Sequence, residues 1–422
     1  MCASFSAGGS RRRKAEGMPA RRKVYVTGMG AVCCLGGSVR EFWQAVLSGA
    51  CGLRRIERFN LEGSPYDTGG EAAGVKLVAF PKRRVSMGAQ LATHAAQEAV
   101  AELPPAGRER LAVVLSTNFG PSEVMEGFLD DQWVAPRFGN LTRGMLEGPF
   151  AWDVDYVAEA VGAWGERVNV SLSCSSGNAA IARGLELIRT GASEAVLAGG
   201  YDSMQKIVWA GLAALRVMAV GAGGEPPRVR PFDRHRSGTL FSEGAGALLL
   251  ESEEHARRRG ALLLAEVAGA GSNNNAYHMT HADDEGLATA EAIQMALQDA
   301  GTPPEAVDHI NAHGTGTKLN DVIETRSFRR VFGVRAAQIP VTSLKGGLGH
   351  AMGAASSLEA IACVLTLREG VIPPTAHYET PDPECDVDVV ANQPRQAPVR
   401  CIVNNSAGIG GANAVVVLKK VS

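Results

Sequence analysis

Two stretches of the chain, 168–190 and 340–367, follow one plan. The first is a short β-like run, Val168–Leu172, that passes through Ser173-Cys174-Ser175-Ser176-Gly177 into a helical pattern ending near Thr190. The second is Ile339–Ser343, then Lys345-Gly346-Gly347-Leu348-Gly349-His350, then a helical pattern to Leu367. Each joins a strand to a helix through a turn of small residues that carries one reactive side chain. Weak internal symmetry of this kind marks a duplicated α/β unit. Duplication sets the two helix N-termini near a shared interface, so Cys174 and His350 are expected to face one pocket.

A thiol at a strand-to-helix corner lies beside the free N–H groups of the new helix. Those groups and the helix dipole favour an anion and are expected to draw the Cys174 pKa down toward a thiolate. A buried core cysteine is the other reading, because free Cys is among the most buried residue types. The same dipole disfavours an imidazolium at His350, so a neutral ring is expected there. His313 ends a strand, His309–Ala312, inside the loop His313-Gly314-Thr315-Gly316-Thr317. Alone it reads as structural. Beside a thiolate and a second neutral imidazole it can donate to a developing oxyanion. Lys345, Asp321 and Glu324 are read either as surface ion pairs or as a buried network that orients the imidazoles. Near the C-terminus, Asn404–Asn413 interrupts two strands with a Gly-rich loop. It is either a tight turn or a source of a backbone N–H that completes an oxyanion hole with the N–H of Cys174.

The remaining pattern is that of an α/β chain. Predicted strands include Lys23–Thr27 (closed by Gly28-Met29-Gly30), Leu111–Leu115, Glu194–Gly200, Gly244–Glu251 and Leu263–Gly269. Helices are predicted over Val39–Leu47, Ser86–Leu103, Asp153–Val161, Glu253–Arg259, Thr289–Asp299 and from Thr317 to about Phe332. Short strands near Val387–Val390, Cys401–Asn404 and Ala414–Leu418 close the chain. Residues 51–80 read as a surface loop, and 117–152 as an insertion that shapes a pocket or a subunit contact. Gly28 and Gly30 do not extend to G-x-G-x-x-G, so nucleotide binding is not expected. A net charge of −2 gives no case for nucleic acid. Eight cysteines without a C-x-x-C pair speak against structural zinc and for reduced thiols in a cytoplasmic setting. No apolar run reaches the roughly 18 residues of a membrane span. Residues 1–20, with Arg11-Arg12-Arg13-Lys14 and no apolar core after them, read as a disordered basic tail.

Several motifs, in order, resemble those of the β-ketoacyl-acyl carrier protein synthases of the thiolase-like superfamily. They are Val26-Thr27-Gly28-Met29-Gly30, Cys174-Ser175-Ser176-Gly177, Pro231-Phe232-Asp233, Glu243-Gly244-Ala245-Gly246, Asn311–Thr317, Lys345 with Gly349-His350, and Gly410-Gly411. The resemblance runs from about Lys23 to Lys420. It implies a duplicated αβαβα five-layer sandwich, with an N-terminal half over 21–261 carrying the nucleophile and a C-terminal half over 262–422 carrying both histidines.

It also implies an enzyme without cofactor or metal that works as a homodimer. Cys174 takes an acyl group from a phosphopantetheine thioester of acyl carrier protein. Malonyl-carrier protein then loses carbon dioxide, and its enolate, held by His313 and His350, attacks the acyl-Cys. Lys345 and Glu324 match the family's supporting pair, Thr315 and Thr317 its pantetheine contacts, and the N–H groups of Cys174 and Ile409 its oxyanion hole. Other readings are an acyltransferase of the same fold with a non-malonyl acceptor, and a partner subunit in a heterodimer. Lys82-Arg83-Arg84, Arg54-Arg55 and Arg234 are candidates for meeting an acidic carrier protein.

The chain departs from the elongating pattern in places. Phe-Gly-Phe-Gly-Gly becomes Ala407-Gly408-Ile409-Gly410-Gly411, Thr239 stands where Phe often follows the glycine matching Gly238, and Ser173 replaces a usual Ala. The smaller residues at 239, 407 and 409 imply a roomier pocket for a bulky, branched or polyketide-like acyl chain.

Overall fold

The computed structural model describes residues 21–78, 85–124, 126–127, 150–221, 224–278 and 283–421. The basic tail 1–20 and Lys82-Arg83-Arg84 lie outside the described residues, as does most of the proposed insertion beyond Val124.

Five strands build the first half: β1 (Val24–Cys33), β2 (Ala112–Ser116), β3 (Arg167–Val170), β4 (Ala195–Asp202) and β5 (Gly244–Ser252). The second half has β6 (Ala265–Asn274), β7 (His309–Asn311), β8 (Pro340–Thr342), β9 (Asp388–Val389), β10 (Cys401–Ala407) and β11 (Ala412–Lys419). They lie in the order β9-β8-β7-β10-β11-β6-β1-β5-β4-β2-β3. From its outer side the first half reads β3-β2-β4-β5-β1, and the second, inside the added β9, reads β8-β7-β10-β11-β6. The pairing senses agree as well, parallel, parallel, antiparallel, antiparallel in each half. The halves meet where β1 pairs with β6 through only Tyr25↔Glu266 and Val26↔Ala265. So short a seam lets the two half-sheets fold against each other.

Alternation along the strands explains the layers. Val113 and Leu115 face one core, with α2 (Met87–Ala99) and α3 (Phe150–Val161), while Val114 faces the other. Val415 and Val417 face α7 (Leu287–Asp299) and α8 (Lys318–Phe332), while Val416 faces the shared centre. The strands are therefore buried on both faces, which is why they read as continuous apolar runs. Two helices fill the centre, α4 (Ser176–Arg189) and α9 (Ala355–Glu369). Every residue of α9 from Ala355 to Leu367 is buried, as expected of a helix apolar all round. The result is an αβαβα sandwich. Further helices among the described residues include α1 (Val39–Leu47), α5 (Lys206–Ala214) and α6 (Glu253–Arg258).

Some boundaries move for physical reasons. β1 does not stop at Gly28-Met29-Gly30 but runs on to Cys33. A Cβ on Gly28 would lie 2.0 Å from the Ala99 carbonyl oxygen, and one on Gly30 1.8 Å from that of Ala95. These glycines let α2 settle on the strand instead of turning the chain. β6 extends to Asn274 because β11 pairs with it to that point. Helix α5 falls in a stretch without an assignment from the sequence.

The two corners are alike in detail. Ser173 lies three residues before Ser176 with φ 54°, and Met352 three residues before Ala355 with φ 52°. Both are non-glycine residues in the left-handed region, a strained choice held by the surrounding structure. Across the centre, a Cβ on Gly177 would meet Ser357 Oγ at 2.4 Å and Ser356 Oγ at 2.7 Å. Asn178 is fully buried beside it. Its N–H donates to Ser356 Oγ (2.9 Å), and its amide donates to the Asn404 and Ala414 carbonyls (3.0 Å each). Asn404 in turn donates to Asn178 Oδ1 and accepts from Asn311 (2.9 Å each). Asn178→Ala strips partners from buried groups and is expected to cost about 2 kcal/mol. Gly177→Val, which overpacks the contact, is expected to cost about 1–3 kcal/mol. Urea unfolding checks both: the midpoint falls while the slope stays constant.

Candidate active site

Cys174 sits in the corner between β3 and α4 with 5% of its surface exposed. The hairpin tip between β10 and β11 packs over it. Gly410 and Gly411 turn this tip with φ of 93° and 84°, and Gly408 N–H closes it on the Ala412 carbonyl at 2.7 Å. A Cβ on Gly408 would lie 3.1 Å from Cys174 N, so only glycine lets the loop come this close. Ser406 Oγ donates to the Cys174 carbonyl at 3.1 Å. The Ile409 N–H lies on the side of the Cys174 sulfur and favours its anion. The Ser173 hydroxyl stands 4.0 Å from the same sulfur.

The expected fall in the Cys174 pKa does not occur. Burial pushes the thiol up and outweighs the Ile409 N–H, the Ser173 hydroxyl and the positive charge of Lys345, all of which pull it down. Several N–H groups at the helix start are already engaged. Ser175 N donates to the Leu172 carbonyl at 3.3 Å, Ser176 N to the Ser173 carbonyl at 3.1 Å, and Asn178 N to Ser356 Oγ.

His350 precedes α9, and its ring meets the His313 ring edge to face with centroids 5.3 Å apart. Met352 N–H donates to His350 Nδ1 at 3.2 Å, which leaves the ring proton on Nε2. Both rings titrate well below the usual histidine range. Burial is the main cause and the Lys345 charge adds to it; for His313 the neighbouring His350 contributes as well. Neutral imidazoles follow, as the sequence suggests, with dehydration as the first cause.

The supporting pair needs correction. Lys345 is fully buried, and its ammonium contacts Glu359 Oε1 on α9 at 2.6 Å, not Glu324. Glu324, on α8, instead accepts from the His313 and Gly314 N–H groups (2.6 and 2.8 Å) and from the Asn405 amide (2.7 Å). It fixes the backbone of the His313 loop, and burial raises its pKa to about 7. Asp321 accepts from Phe232 N and Gly316 N, so it shapes that loop without touching either imidazole. Spacing along the chain could not separate Glu324 from Glu359, because both lie on helices that start near the loops in question.

A cavity of about 1240 Å³ brings the other expected residues together. Cys174, His313, His350, Thr315, Thr317, Thr239, Ala407 and Ile409 all line it. Thr315 and Thr317 share a hydroxyl contact of 2.9 Å, and Thr317 also caps α8. Much of the wall is apolar: Phe119, Val208, Leu212, Leu215, Phe241 and Met352 among others. The expectation that the segment 117–152 shapes a pocket holds for its described residues, of which Asn118, Phe119, Pro121, Ser122, Val124 and Phe150 line the cavity.

Sequence reasoning missed α5 and Asp202. The buried Asp202 carboxylate accepts from Thr117 Oγ1 (2.6 Å) and from the N–H groups of Asn118, Phe119 and Gly353. It ties the pocket wall to the chain just past His350, and burial raises its pKa to about 6. A lone Asp at a strand end is the only mark of this in the sequence. Of the basic candidates that are described, Arg54, Arg55 and Arg234 are exposed. Among the described residues no helix is long and apolar enough to cross a membrane.

A buried thiol and two neutral imidazoles around an apolar cavity form the equipment of covalent acyl transfer. Residues 21–256 match the family described as beta-ketoacyl synthase, N-terminal domain, and 264–379 match beta-ketoacyl synthase, C-terminal domain. Nodulation protein E of Rhizobium meliloti (strain 1021) is 37% identical over 95% of this chain and all of its own. The tetracenomycin polyketide synthase ketoacyl synthase alpha subunit of Streptomyces glaucescens is 34% identical over 95% of this chain and 98% of its own. A solved type II polyketide ketosynthase, in complex with its acyl-carrier protein and bound to a hexaketide, superposes with TM-score 0.88 at 33% identity. It covers 95% of this chain and 100% of that one. The chain belongs to the β-ketoacyl synthase family. It is an acyl-transferring enzyme that forms a carbon–carbon bond.

Two expectations follow from the electrostatics. Because the Cys174 thiol is held up, its alkylation by iodoacetamide should rise about tenfold per pH unit from pH 7 toward pH 9, as thiolate forms. A plateau below pH 7 would show a preformed thiolate instead. Lys345→Met leaves the Glu359 carboxylate buried without its cation and should cost about 3–5 kcal/mol in urea unfolding. The double variant Lys345→Met/Glu359→Leu should recover most of that loss.

Proposed function

We propose that Cys174 carries the acyl group and that His313 and His350 serve the malonyl half of a decarboxylating condensation. The observation that carries this reading is the convergence of all three side chains on one apolar cavity, with both imidazoles neutral. The Cys174 sulfur attacks the thioester carbonyl of an acyl-carrier protein. The N–H groups of Cys174 and Ile409 hold the oxyanion. The bond to the pantetheine sulfur breaks, and that sulfur leaves with the proton lost by Cys174. Malonyl-carrier protein follows, with Thr315 and Thr317 on its pantetheine arm.

Loss of carbon dioxide leaves an enolate, whose oxygen accepts from the imidazole N–H groups. Its carbon then attacks the acyl-Cys174 carbonyl, and collapse returns the sulfur and gives 3-oxoacyl-carrier protein. Lys345, paired with Glu359, favours this course from behind the rings, because its charge opposes their protonation. Glu324 positions the His313 loop.

The partner is an acyl carrier protein, which is acidic, and the exposed Arg54, Arg55 and Arg234 offer cations to it. A second copy of the chain fits the edge of β3, which among the described residues pairs only with β2 and ends four residues before Cys174. With small side chains at Thr239 and Ala407, the cavity suits a bulky, branched or polyketide-like acyl chain.

Intact-mass analysis tests the roles. Wild-type protein given acyl- and malonyl-carrier protein should gain the acyl mass on Cys174 and release the 3-oxoacyl product. Cys174→Ala should gain nothing. His350→Ala should still acylate but lose condensation by about a hundredfold or more. An adduct on Cys174→Ala, or full condensation by His350→Ala, removes the corresponding role. A panel of acyl-carrier substrates tests the pocket: preference for straight medium chains speaks against the roomy reading.

A further inference from the structure

We infer that Phe241 is a positioning residue that sets the His350 ring for the malonyl half-reaction; this rests on the role proposed for His350 above. Phe241 is 2% exposed and lines the cavity that holds Cys174 and both histidines. Its ring lies nearly parallel to the His350 imidazole, with centroids 5.8 Å apart and planes 29° apart.

The backbone enforces this contact. Phe241 and His350 are paired as parallel bridge partners. On either side of Phe241, the Leu240 carbonyl accepts from His350 N at 2.7 Å and Ser242 N donates to the His350 carbonyl at 3.0 Å. Partners paired in this way project their side chains to the same face. The His350 ring is therefore held on three sides. Phe241 stacks on one face, the His313 ring meets it edge to face, and Met352 N–H occupies Nδ1. With Nδ1 occupied, Nε2–H is the donor left for the enolate oxygen.

The sequence adds an independent point. The aromatic side chain often found after the glycine matching Gly238 is absent, because Thr239 stands there. Two positions on, an aromatic residue returns at Phe241. In an extended segment positions 239 and 241 share a face, and both line the cavity. This wall therefore carries no ring at 239 and one at 241, against the histidine. A Leu or Ala at 241 leaves the imidazole free to rotate about its side-chain torsions, and a misplaced donor of this kind costs rate without preventing substrate binding.

The experiment measures two half-reactions of the full-length protein. Acylation of Cys174 by acyl-carrier protein is followed by intact mass, and loss of carbon dioxide from malonyl-carrier protein by trapped label. Phe241→Leu should lower the ratio of decarboxylation to acylation by about tenfold or more. Phe241→Tyr, which restores a ring, should return that ratio to within about threefold of wild type. A purely structural role lowers both half-reactions together and leaves the ratio unchanged, which overturns the inference. So does a Phe241→Tyr variant as impaired as Phe241→Leu. His350→Ala is measured alongside. If it loses decarboxylation while Phe241→Leu keeps the wild-type ratio, only the inference about Phe241 falls. If it keeps decarboxylation, the role of His350 falls and this inference with it.

Discussion

The close approach of α4 and α9 at the centre of the sandwich is the constraint on which the rest depends. Gly177 allows it, because no side chain fits between its Cα and the Ser356–Ser357 segment. The buried amides of Asn178, Asn404 and Asn311 then bind the two halves by hydrogen bonds that exclude slippage, since each unpaired group would remain dehydrated. Because the corners at Ser173 and Met352 precede these helices by the same interval, the packing that joins the helices also brings their corners together. Cys174 and both histidines share a cavity for this reason.

Dehydration then sets the chemistry. The same burial that raises the Cys174 thiol lowers both imidazoles, because each shift favours the uncharged form. The exception is Lys345, which meets Glu359 in a fully buried pair. Such a pair gives little stability against an apolar substitute. Its consequence is electrostatic: a fixed positive charge opposes protonation of His313 and His350 and favours a sulfur anion. One cation therefore pushes three titrating groups in the directions that a malonyl decarboxylation followed by sulfur–acyl chemistry requires.

The carboxylates around the cavity have a different task. Glu324 and Asp202 each gather backbone N–H groups from loops that line the cavity, and so replace regular secondary structure where the chain turns. The wall between them is variable in a physical sense. Its shape depends on which positions carry rings, and here Thr239, Ala407 and Ile409 leave three lining positions without one, while Phe119 and Phe241 supply rings.

The amino-acid sequence by itself determined the duplicated strand–corner–helix plan and most strands, and it brought Cys174, His313 and His350 forward as candidates. These follow from local signals: apolar runs, small residues at a forced turn, and a reactive side chain at its apex. Helix α5, the passage of β1 through Gly28 and Gly30, and the role of Asp202 carried no such signal. Only the tertiary structure decided that Lys345 pairs with Glu359, 14 residues along the chain, and that Glu324 holds a loop. It also decided that burial, rather than the helix start, sets the direction in which the Cys174 thiol shifts. Pairing and pKa depend on which groups lose water together, and that is set by packing between segments far apart in sequence rather than by the residues next to each one.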